Sequence, residues 1–158
     1  MKTSAVLILV LSVVFWWGCN ETSDQNDAAV QVSAEAALAD AEALDLLKIN
    51  CYACHNPMAS SHDVILAPPL AAVKWRYLRS YPEREEFIAQ MTAFVNNPTQ
   101  DKALMRGAVQ RFQVMPQSPT DSLTVQKIVT YLYDHKPEEP SWFAEHFEEE
   151  HGRKWGPQ

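Results

Sequence analysis

Cys51-Tyr52-Ala53-Cys54-His55 is the stretch on which the reading of this chain turns. Two cysteines separated by two residues, with a histidine directly after, form the attachment pattern of a c-type haem. The spacing has a chemical reason. Two intervening residues bend the backbone so that both thiols reach one porphyrin edge and add across its two vinyl groups. The histidine is then held beneath the iron as the proximal ligand. Two other chemistries share the C-x-x-C core, a thioredoxin-like redox pair and half of a zinc site. The first needs a strand before the motif and a helix opening at it, whereas here an Ala/Leu-rich helical stretch precedes and Pro57 follows. The second needs further ligands; no second C-x-x-C exists, and His62 is the only other nearby candidate.

The N-terminus bears on that choice. Residues 1–18 read as a secretory signal, with Lys2 as the positive end and an apolar run from 5 to 17 broken only by Ser12. That run is shorter than the roughly 20 apolar residues a membrane-spanning helix uses. It ends at Gly18-Cys19 before the polar Asn20-Glu21-Thr22. This junction resembles a bacterial lipoprotein cleavage site, which makes Cys19 the expected lipidation position; an uncleaved signal anchor is the alternative. Either reading puts the rest of the chain outside the cytoplasm, periplasmic and membrane-anchored, which is where haem is joined to C-x-x-C-H. A disulfide between Cys51 and Cys54 competes in an oxidising compartment, but a bridge across two residues closes too small a loop to stabilise much. Only three cysteines are present, so lipidation and two thioethers leave no thiol over.

The remaining residues suffice for one domain. The formal charge is −7, and one unit more negative once Lys2 leaves with the signal. Such a surface argues against nucleic acid as a partner and against a basic, membrane-hugging face; most of the acidity reads as solvated surface, which could also steer the domain toward a basic partner.

Helical patterning fills the chain, and no run alternates as a strand does; the expected class is all-α. Residues 19–33 are polar and acidic and predict a flexible tether. Ser33 is the expected N-cap of a helix over 34–49 that buries Leu38, Ala41 and 44–49 and delivers the chain into the haem motif. Pro68-Pro69 marks a rigid loop, and a short helix follows over 70–80 with Trp75 and Leu78 as its apolar pair. Pro82 opens a helix that buries Phe87, Met91, Phe94 and Val95 and stops at Asn97-Pro98. A further helical piece is expected over 100–111. The last core helix runs over 120–135, with Val125, Ile128, Val129 and Leu132 on one face. The domain is therefore expected over 34–136, with an acidic, partly docked tail over 137–158.

A haem iron with one histidine has a second axial position. Methionine there raises the potential and suits electron transfer, whereas an open position invites small-molecule chemistry. Met58 lies too close to His55 in sequence to reach the opposite face. Met91 lies on an apolar helix stripe and Met105 inside a helical segment, so both read as core. Met115 differs: Val114-Met115-Pro116 is an extended-looking segment, because Pro116 removes a donor and keeps Met115 out of helical conformation. It is the expected distal ligand; a loop methionine merely capping the core is the bland alternative.

A helix entering C-x-x-C-H, a Pro-containing loop, Met115-Pro116 and an amphipathic last helix together resemble a monohaem class I cytochrome c of the membrane-tethered bacterial type. The resemblance covers residues 34–135. It implies the cytochrome c fold around one covalent haem c, held by Cys51 and Cys54 and ligated by His55 and Met115. It further implies that the first and last helices cross near the haem, and that the Pro68 carbonyl accepts the other ring N–H of His55. The implied activity is electron transfer between redox protein partners at a membrane, without enzymatic bond-making. A haem subunit of a larger respiratory or dehydrogenase complex, or a haem sensor or peroxidase with a displaceable distal ligand, are the alternatives.

The other histidines carry less. His62 reads as surface loop, and His135 as a cation at a helix C-terminus. His146 and Glu150 share a helix face and could take a stray divalent metal, but a solvated acidic helix is the reading favoured. Trp142 and Phe143 are expected to dock the tail.

Overall fold

The computed structural model describes residues 22–156, so the expected signal segment 1–18 and Cys19 lie outside the described residues. All regular structure among the described residues is helical. In chain order the helices are α1 (Thr22–Cys51), α2 (Leu70–Ser80), α3 (Arg84–Asn96), α4 (Arg106–Phe112), α5 (Ser122–Asp134) and α6 (Phe143–His151), with a single 3-10 turn at His62–Val64 before α2. The expected all-α class is what is found. No helix among the described residues is long and apolar enough to cross a membrane.

Backbone contacts divide the chain into two compact units, 1–35 and 36–158. In the first, the described residues are already helical from Thr22, where a flexible tether and a helix start at Ser33 were expected. Residues 22–33 contain no Gly or Pro, so nothing in them breaks a helix that continues from the alanine-rich stretch after Ser33. Ser33 is therefore no cap: its hydroxyl donates to the Val30 carbonyl at 2.9 Å, the backward bond typical of serine inside a helix.

The second unit is built on α3 packed against α5. Phe87, Ile88 and Met91 from α3 meet Val125, Ile128, Val129 and Leu132 from α5, joined by Leu47 of α1 and by Leu70 and Tyr77 of α2. Phe87 is fully buried, with Tyr77 and Tyr133 set edge-on to it at centroid distances of 5.9 and 5.1 Å. On α1 the covered residues include Ala43, Leu44, Leu46 and Leu47; Leu38 is 71% exposed and Ile49 is exposed too. At about 100° per residue both fall opposite Leu47, so the apolar side is narrower than composition suggested. α1 and α5 are further tied by Asp40 to His135 at 3.1 Å and Glu42 to Lys127 at 2.8 Å.

Helix ends have local causes. Asp121 caps α5, its carboxylate accepting from the Leu123 and Thr124 amides at 3.0 Å each. At the far end of α5, Lys74 donates to the Tyr133 and His135 carbonyls at 2.7 and 3.0 Å. The piece expected over 100–111 is helical only from Arg106. Arg76 of α2 takes the Leu104 carbonyl at 3.1 Å, diverting an acceptor that a continuing helix would use. Met105 thus caps α4, half-buried, rather than lying inside a helix.

The tail is docked more fully than Trp142 and Phe143 alone implied. Phe143 and Phe147 are buried with Ala71 against Trp75 and Trp155, as a second apolar cluster. Two guanidinium groups, those of Arg79 and Arg153, lie over the Trp75 ring at 4.9 and 4.8 Å from its centroid.

Candidate functional site

The C-x-x-C-H occupies the last residue of α1 and the turn that follows. The Cys51 carbonyl accepts from the amides of Cys54 at 3.2 Å and His55 at 2.9 Å. One compact turn therefore gathers both cysteines and the histidine, as a spacing of two residues requires. Neither cysteine is in a disulfide; Cys54 is exposed and Cys51 half-buried. Burial, helped by Cys54, pushes the Cys51 thiol up to about 11. A nucleophilic redox cysteine needs the opposite shift, toward the thiolate. The motif also follows a helix rather than a strand, contrary to a thioredoxin-like arrangement.

His55 is held from the other side of the loop. Its Nδ1 lies 2.7 Å from the Pro68 carbonyl oxygen. A carbonyl only accepts, so Nδ1 carries the proton and donates. In a neutral imidazole this leaves Nε2 with its lone pair free to bind a metal. Burial lowers the His55 pKa from its ordinary 6.5, outweighing the opposing effect of the Pro68 bond, and so favours that neutral, ligating form. Pro68 occupies the position at which the resemblance implied such an acceptor. Pro69, which follows, starts α2 as its N-cap, so the loop is rigid on both sides.

Met115 lies between α4 and α5, in a segment without regular structure, and is half-buried. It is not among the side chains packed into either apolar cluster, whereas Met91 is part of the main core. Gln113, two positions earlier, adopts φ 68° and ψ −176°, a region almost restricted to glycine that costs on the order of 1–3 kcal/mol.

No protein-family model, curated protein or solved structure matches this chain. The site is therefore judged on its own chemistry. A c-type haem is attached through two adjacent thiols and one histidine nitrogen whose partner nitrogen is protonated, and an electron-transfer haem adds a second axial donor such as a methionine sulfur. Cys51, Cys54, His55 and Met115 fit that set. Among the described residues no group of three or more His, Cys, Asp or Glu side chains gathers to hold a metal ion, so the donors of a tetrahedral zinc site are not assembled there.

Around the motif lies a concavity of about 310 Å³ lined by Ala53, Cys54, Met58, Val64 and Leu66 among others. Met58 is 83% and Leu66 69% exposed. Beyond the motif, three features had no sequence signal that distance along the chain would allow. Asn50 bonds to Thr120, Arg111 bonds to the His62 backbone, and His62 stacks on His146.

Proposed function

We propose that the chain is a monohaem c-type cytochrome with a cytochrome c fold, exported and anchored through Cys19 or its signal segment on the outer side of a bacterial membrane, that passes single electrons between redox proteins. The observation that carries this reading is the His55 Nδ1–Pro68 bond at 2.7 Å, because it presents the proximal nitrogen directly after two adjacent thiols. When bound, the haem supplies the redox couple. Cys51 and Cys54 would hold it covalently, and His55 and Met115 would ligate its iron. The Pro68 carbonyl fixes the ring orientation of His55 and strengthens it as a donor. The apolar surface formed by Met58, Val64 and Leu66 beside Cys54 suits close approach of a protein partner.

The deciding experiment compares oxidised and reduced spectra of the wild type and Met115→Ala, with a haem stain after denaturing electrophoresis. The reading expects haem that survives denaturation and a methionine-to-iron charge-transfer band lost in the variant. Absence of covalent haem would overturn it; persistence of the band would move the distal role to another methionine.

A further inference from the structure

We propose that Arg111 and Thr120 are positioning residues that hold the Met115 segment across the cysteine–histidine turn; the inference rests on Met115 being the distal ligand. Residues 113–121 form no helix, so no helical hydrogen bonds fix where Met115 sits. The segment is instead tied at both ends. At its start the Arg111 Nη2 donates to the His62 carbonyl at 2.9 Å, and the same group lies 3.7 Å from an Asp63 carboxylate oxygen. At its end the Thr120 hydroxyl donates to Asn50 Oδ1 at 2.9 Å. Asn50 is itself oriented, because its amide nitrogen donates to the Leu46 carbonyl of α1 at 2.7 Å. The Thr120 amide in turn donates to Ser118 Oγ at 3.2 Å, which tightens the same end.

The two anchor points are not arbitrary. Asn50 directly precedes Cys51, and His62 follows His55 in the next loop. The Met115 segment is thus strung between the two flanks of the haem motif. Gln113, held at φ 68° within this span, is the kind of strained residue that persists only where its surroundings over-determine it. These surface bonds add little to global stability. Ligation by a loop methionine is a different equilibrium, sensitive to how much loop freedom remains to be lost, and pre-ordering the loop favours the bound form.

The test uses the assembled full chain and added imidazole as a competing iron ligand. Thr120→Val and Arg111→Gln are each expected to lower the imidazole concentration that displaces the methionine band by about two- to tenfold. Thr120→Ser keeps the donor and is expected to retain the wild-type midpoint. Both side chains are at or near the surface, so the core survives these changes. Unchanged imidazole midpoints in both variants, with or without a lower unfolding midpoint, would reduce the residues to a structural role and overturn the proposal. Met115→Ala separates the two claims: loss of the band there with unaltered midpoints in the others refutes positioning alone, whereas a retained band refutes the ligand assignment and the positioning with it.

Discussion

His62 and His146 stack face to face, with ring centroids 4.0 Å apart and planes inclined by 28°. The contact joins the loop after the cysteine–histidine turn to α6. Trp142 completes it, edge-on to both rings, while its Nε1 donates to the Ala59 carbonyl at 2.8 Å. The tail is therefore fastened to the loop by two imidazoles and an indole.

The stack makes tail docking sensitive to acid. Burial lowers the His62 pKa from its ordinary 6.5, His146 and Arg111 lower it further, and Asp63 and Glu150 pull weakly the other way. The docked state thus binds a proton less readily than the undocked one. Its contribution is full above about pH 6.5 and is lost as pH falls below that value. Hydrogen exchange in residues 57–65 and 142–151, corrected for the intrinsic rate, is expected to rise between about pH 7.5 and pH 5. His62→Gln should flatten that response, and a flat wild-type profile would refute it.

Phe87 is the test of the core. It is fully buried between Tyr77 and Tyr133, so Phe87→Ala leaves a cavity where α3 meets α5. The expected loss is about 3–5 kcal/mol in urea unfolding. Leu123→Ala, at an exposed position on α5, serves as the contrast and should change stability by no more than about 0.5 kcal/mol.

Lys74 closes the C-terminus of α5 by donating to two carbonyls. Lys74→Met keeps most of the apolar stem but leaves those acceptors to water. A loss of about 1–2 kcal/mol is expected, given the partial exposure of the site. Thermal unfolding with an unchanged midpoint would show that water replaces the ammonium group at no cost.

Gln113→Gly removes the strain of a positive φ ahead of Met115. Relief of about 1–3 kcal/mol is partly offset by the larger entropy of an unfolded glycine. The net expectation is higher global stability, by about 1 kcal/mol or less. A lower unfolding midpoint would mean that the Gln113 side chain does more than tolerate its backbone.

Where the sequence pattern holds, the information is local. Val125, Ile128, Val129 and Leu132 repeat at helical spacing, and all four are buried. Pro69 and Tyr81-Pro82 bound α2 as punctuation does, because proline restricts its neighbours wherever it stands. Where it fails, a partner far along the chain intervenes. The helix expected from 100 begins only at Arg106, since Arg76 claims the Leu104 carbonyl. Leu38 looked like core because leucine is apolar, but burial depends on which side of α1 meets another helix. His62 looked like solvent-facing loop until α6 brought His146 onto it.

The sequence by itself determined the helical class, the grouping of Cys51, Cys54 and His55 in one turn, and Met115 as a loop residue ahead of the last core helix. Those features follow from covalent spacing, helical period and the fixed dihedral of proline, none of which needs a distant partner. Only the tertiary structure decided that the His55 ring meets the Pro68 carbonyl at 2.7 Å, that the Met115 segment is tied to Asn50 and His62, and that the tail is latched by stacked imidazoles. Each joins residues far apart in sequence. Hydrogen bonds and ring contacts of this kind depend on ångström-scale placement, which packing of the whole core sets and no local pattern encodes.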